Sequence, residues 1–163
     1  MTKYYPGEFS KIRGDVNMIV EKRNILTVTR GVIVHQVNCQ NRIGRGISGE
    51  IIKKYPLVET AYHAICELKT PAELLGTWQG VNVTGSLTIV NCFTQLDYGN
   101  PARTGRIYTD VKKLAAALAD ICCTYKDNEI WIPEKIGCGL GGADWSQVSA
   151  MLEPLPLHVA SIT

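Results

Sequence analysis

From residue 25 onward the chain alternates short β-branched runs with amphipathic stretches. Ile25-Leu26-Thr27-Val28-Thr29 and Val32-Ile33-Val34-His35-Gln36-Val37 read as strands, the second nearly continuous, as in strands covered on both faces. Gly46 to Tyr55 reads as a short helix stopped by Pro56, and Val58, Tyr62, Ile65 and Cys66 continue at helical spacing to Lys69. Thr77 to Thr84 and Leu87 to Phe93, separated by Gly85-Ser86, predict a hairpin, and its antiparallel pairing makes the sheet mixed. Asp97 to Ala102 is a polar loop. Thr109 stands where it can cap a long helix whose apolar stripe is Val111, Leu114, Leu118, Ile121 and Tyr125. Glu129 to Pro133 predicts an interior strand, Asp144 to Leu152 a helix, and Leu157 to Ile162 a closing strand. This alternation argues for an α/β fold with helices on both sides of one sheet.

Composition narrows the picture. The 163 residues are 45% apolar and 20% charged, enough for one core, and a single domain over residues 1–163 is expected. Seventeen basic and fifteen acidic side chains leave a net charge of +2, and they are scattered, so a nucleic-acid polymer is not the default partner. Met1-Thr2-Lys3-Tyr4-Tyr5-Pro6 has no apolar leader core, and no run approaches the ~20 residues that span a bilayer. A soluble cytosolic protein without a membrane partner is expected. The six cysteines form no C-x-x-C pair and have no histidines at zinc-like intervals, so buried free thiols, no metal and no cofactor are expected.

Two glycine-rich turns carry the most chemistry. Gly44-Arg45-Gly46-Ile47 and Gly137-Cys138-Gly139-Leu140-Gly141-Gly142 each follow a β-like run and precede a helix-like segment. Glycine lets the backbone approach an anion with several N–H groups, and a helix start adds partial positive charge. Together they outline a two-jawed clamp for linked phosphates. Gly137, Gly139 and Gly142 also spell G-x-G-x-x-G, but outside an opening βαβ unit and without an acidic residue ~20 positions on, so a Rossmann dehydrogenase is disfavoured. No G-K-[ST] follows either turn, which removes a P-loop NTPase. Cys138 invites comparison with cysteine phosphatases; the position six residues on is Asp144, an anion that repels phosphate, so Cys138 reads as a loop filler.

His35-Gln36-Val37-Asn38-Cys39-Gln40-Asn41 leaves a strand and enters the first jaw. His35 is either an acid/base group or a hydrogen-bonded strand residue. Asn38 and Asn41 either bind ribose hydroxyls or a water, or hold a turn. Asp144 either acts chemically or caps the helix from Trp145. Asp15 follows the apolar segment Phe9 to Ile12 and can accept from an exocyclic amine or stand as an ordinary turn residue. His63 and His158 read as bystanders.

Gly14-Asp15-Val16, Val37 to Ile47, Asn91-Cys92-Phe93-Thr94-Gln95 and Ile132 to Trp145, in that order, resemble a macro domain over nearly the whole chain. The likeness is to the compact branch holding ADP-ribose 1''-phosphate phosphatases and terminal ADP-ribose protein glycohydrolases. It implies a three-layer α/β/α sandwich with a mixed central sheet and ADP-ribose above the sheet. The resemblance places Asp15 on the adenine amine with Val16 beside it. It puts Gly44, Arg45, Gly46 and Ile47 around the distal ribose and phosphate, Gly137, Cys138, Gly139, Leu140 and Gly141 at the diphosphate, and Phe93 and Thr94 nearby. It favours hydrolysis of the terminal phosphate of ADP-ribose 1''-phosphate by His35 and Asp144, with Asn38 positioning substrate or water. Arg45, where the family has a small residue, can grip an extra phosphate or face water. The lysine and aspartate of the glycohydrolase branch are replaced by Phe93-Thr94-Gln95 and Gly141. Alternatives are a non-catalytic ADP-ribose reader and a hydrolase that removes ADP-ribose from modified macromolecules.

Overall fold

The computed structural model describes residues 18–162; Asp15 and Val16 lie outside them. Six strands form one sheet in the order β1-β6-β5-β2-β4-β3: β1 Ile19–Lys22, β2 Gly31–Asn38, β3 Trp78–Asn82, β4 Leu87–Gln95, β5 Ile130–Pro133 and β6 Leu157–Ser161. All neighbours pair in parallel except β3, which returns antiparallel to β4. The mixed sheet and its central hairpin therefore stand as expected.

Alternation along β2 sorts the two helical layers. Val32 and Val34 face a layer of α5 (Val111–Thr124) and α6 (Trp145–Leu152), packing with Leu114, Leu118, Ile121 and Val148. Ile33 and Val37 face the other layer, made by α1 (Gly46–Lys54), α2 (Pro56–Leu68) and the short α3 (Pro71–Leu74), where Ile51, Val58, Tyr62 and Leu74 are buried. Each such aliphatic side chain contributes about 1.5–3 kcal/mol of burial free energy. A three-layer α/β/α sandwich results. Among the described residues, no helix is long and apolar enough to cross a membrane.

Two local expectations are corrected. Ile25–Thr27 is a 3-10 turn, not a strand: Asn24 caps it by accepting from Leu26 N, and the buried residues, Ile25 and Val28, lie three apart rather than two. One edge of the sheet is the solvent-facing β1, which no apolar alternation advertises. Thr109 does not cap α5. Asp110 does, accepting from Lys113 N, and this frees the Thr109 hydroxyl for the site described next. The polar loop after β4 contains a further short helix, α4 (Pro101–Thr104), capped by Asn100.

Candidate functional site

β2 and β5 are parallel neighbours, so the loops that leave their carboxyl ends emerge side by side. In open α/β sheets that edge is where crevices form. Here both glycine turns line one cleft of about 780 Å³, within the range of small-molecule sites. Ile25, Ala160 and Ile162 add apolar surface to its wall.

The first jaw is held from beneath by Asn38 and Tyr62. Asn38 Nδ2 donates to Arg42 O at 2.7 Å, and its Oδ1 accepts from Gln40 N at 2.9 Å. The Tyr62 hydroxyl, from α2, accepts from Arg42 N at 3.0 Å and lies 3.0 Å from Asn38 O and from Asn38 Oδ1. Its ring stacks on Phe93 with centroids 5.8 Å apart. Position 49 must be small, because a Cβ on Gly49 would sit 2.5 Å from Gly44 O. α1 begins within the turn, at Gly46, and no side chain caps it, which leaves its first amides open to an anion.

The second jaw rests on Thr109. The Thr109 hydroxyl donates to Gly137 O at 2.7 Å, while Tyr108 N and Thr109 N donate to Gly141 O at 2.8 and 3.0 Å. The N–H groups of Gly139, Leu140 and Gly141 have no partner among the described residues. Consecutive free amides of this kind make an anion-binding concavity. Between the jaws, Gln36 Nε2 donates to Thr109 Oγ1 at 2.7 Å and to Gln95 Oε1 at 3.1 Å, and Thr94 Oγ1 donates to Gln36 Oε1 at 2.8 Å. Arg42, Arg45 and Lys135 bring positive charge to the cleft, and Glu50 and Glu134 carry its carboxylates. Arg42 lies over the Tyr98 ring, 5.6 Å from its centroid, and so ties the first jaw to the loop after β4. Among the described residues no group of three or more His, Cys, Asp or Glu side chains could hold a metal ion.

Known structures show the same arrangement of elements. A protein of unknown function from Bacteroides thetaiotaomicron superposes with a TM-score of 0.75 at 22% identity, over 88% of this chain and 97% of that one. The macrodomain of Mycobacterium tuberculosis DarG gives 0.68 at 22% identity, over 88% and 97%. Thermosipho africanus DarTG in complex with ADP-ribose gives 0.70 at 17% identity, over 89% of this chain and 41% of that one. The chain has the macrodomain fold. No family model and no curated protein sequence matches it, so the likeness lies in the backbone.

Within this macrodomain fold the residues singled out from sequence divide into two sets. Asn38, Gly44, Arg45, Gly46, Ile47, Gly137, Gly139, Leu140 and Gly141 line the cleft. Phe93 and Thr94 are fully buried beneath it. Asn41, with φ 59°, turns its Oδ1 to His63 Nδ1 at 2.6 Å and does not line the cleft. The Cys138 thiol points at Ile136 O, 3.4 Å away, and burial, reinforced by Asp144, pushes it up to about 11; a loop filler fits both facts.

His35, Asn38 and Asp144 are not brought together. His35 is fully buried on the α1 face of β2, with Nδ1 2.8 Å from Ser48 Oγ and Nε2 2.6 Å from Asn91 Oδ1. Asn91 Nδ2 donates to Gln79 Oε1, which turns the Asn91 oxygen toward the ring. The network therefore assigns the proton to Nε2 and makes Nδ1 the acceptor from Ser48. Burial lowers the imidazole to about 4, against the opposing hydrogen bond it donates to Asn91 Oδ1, so it is neutral at physiological pH and pins α1 to the sheet. Asp144 caps α6, accepting from Ser146 N at 3.0 Å and Ser146 Oγ at 2.9 Å, and does not line the cleft. Sequence reasoning passed over Gln36, Gln95, Tyr98 and Lys135. For the two glutamines a signal existed: a long polar amide closing an otherwise apolar strand.

Proposed function

We propose that the cleft binds ADP-ribose. Two main-chain amide cradles on neighbouring loops, both lining one cleft, carry this reading. The free amides of the two loops suit a diphosphate, the apolar lining residues Ile25, Ala160 and Ile162 suit a flat base, and the cations Arg42, Arg45 and Lys135 favour an anionic ligand. The Thermosipho africanus protein, solved with ADP-ribose, shares the backbone that presents these loops.

Binding without turnover is the function the geometry supports best. Removal of the terminal phosphate from ADP-ribose 1''-phosphate, with His35 and Asp144 as acid and base, needs both at the scissile bond. One is buried and neutral, and the other caps a helix outside the cleft. Removal of ADP-ribose from a macromolecule by Asp144 meets the same obstacle. Arg45 favours a second reading of the ligand: a guanidinium in the first jaw can hold a phosphate on the distal ribose.

Calorimetry beside a phosphate-release assay separates these readings. We expect saturable 1:1 binding of ADP-ribose and no inorganic phosphate from ADP-ribose 1''-phosphate in chelator. Arg45→Ala should weaken the 1''-phosphate about tenfold and leave ADP-ribose nearly unchanged. Phosphate release that disappears in His35→Ala would restore the phosphatase reading. Absence of ADP-ribose binding would remove the proposal altogether.

A further inference from the structure

We infer that Gln95 reads the distal end of the ligand by donating its side-chain N–H to an acceptor oxygen on the ribose beyond the diphosphate. This rests on the ADP-ribose reading above. Gln95 closes β4 opposite Asn38 of β2, and Cys39 N donates to its carbonyl at 2.9 Å, so it lies at the root of the first jaw. Through Gln36 and Thr109 it also reaches the second jaw. It is 8% exposed and lines the cleft.

Proton directions around it fix which end of its amide faces outward. The single hydroxyl hydrogen of Thr109 goes to the Gly137 carbonyl, which can only accept. The Gln36 atom 2.7 Å from that hydroxyl is therefore an N–H, and the other hydrogen of the same nitrogen points at Gln95 across 3.1 Å. Thr94, donating to the opposite end of the Gln36 amide, agrees with this orientation. Gln95 thus turns its oxygen to Gln36, and its Nε2 carries two hydrogens without a partner among the described residues. A neutral donor so placed adds little to the attraction of the diphosphate. It selects for an oxygen at the root of the first jaw, where a ligand that continues past its second phosphate puts a sugar.

The test titrates wild type, Gln95→Glu and Gln95→Met with ADP-ribose and with ADP, which keeps the diphosphate and lacks the distal ribose. Glutamate preserves an oxygen facing Gln36 and replaces the outward amide by a second oxygen; methionine removes both polar ends. The ratio of the ADP-ribose to the ADP dissociation constant should rise about tenfold in each variant, and the effect of the added charge on the diphosphate cancels in that ratio. An unchanged ratio, with either equal losses or none, overturns the assignment. If one variant fails to fold, the other decides. Wild type that binds neither ligand overturns the ADP-ribose reading, and this assignment falls with it.

Discussion

Gly141→Ala is expected to lower ADP-ribose affinity about a hundredfold and to cost about 1–3 kcal/mol of stability. A Cβ at this position would overlap Thr109 Oγ1 and sit 2.5 Å from Gly137 O and 2.9 Å from Gln36 Nε2. Those three atoms are the ones that hold the second jaw against the sheet. The loop must move away, its free amides lose their common focus, and Gln36 loses the partner that orients Gln95. Gly139→Ala is the stability control, since its Cβ would meet no protein atom within 4 Å. Thermal unfolding of the pair, with calorimetry on Gly141→Ala, checks the expectation. Wild-type affinity in Gly141→Ala would mean that the second jaw does not contribute.

The second large effect belongs to His35 and to pH. Its imidazole takes up a proton near pH 4 in the folded chain and near 6.5 when unfolded. Between those values the unfolded state binds more protons, so stability falls as pH falls from 6.5 toward 4 and is indifferent to this group above that window. The full span corresponds to about 3 kcal/mol. Protonation adds a hydrogen at Nδ1, which turns the Ser48 hydroxyl to its longer contact with Gln36 O at 3.3 Å, and puts a charge where water cannot reach. Urea unfolding of wild type and His35→Gln across this range should show a shallower acid loss in the variant. Parallel curves would show that the imidazole is not the buried neutral group described. His35→Leu, which leaves the buried Asn91 Oδ1 without its donor, should destabilise the chain at neutral pH by about 2–4 kcal/mol.

Much of this was legible in the sequence, and the exceptions have physical causes. The near-continuous apolar run of β2 is what a strand between two helical layers requires, and the paired glycine turns mark the loops that line the cleft. Pattern alone did not distinguish the 3-10 turn at Ile25–Thr27 from a strand, because β-branched residues fit both until the spacing of the buried ones is known. Nor does it reveal β1, an edge strand with all four residues exposed. The glycines that line the cleft were legible because a turn of this kind is written in residue type. The roles of His35 and Asp144 depend on which way a side chain points. A histidine on a strand has equal prospects of facing the cleft or the helices, and alternation from Val34 puts His35 on the α1 side. Gln36 and Gln95 stand out in sequence only as polar amides on apolar strands; their link to the second jaw forms when β2, β4 and the Gly137–Gly141 loop are brought together by long-range pairing.

Nuclear magnetic resonance titration of the full chain with ADP-ribose tests the two-jaw cleft most directly. Backbone amide shifts should appear together, with one dissociation constant, at Gly44–Ile47 and at Gly137–Gly141. Shifts confined to one of these loops, or to neither, would contradict it.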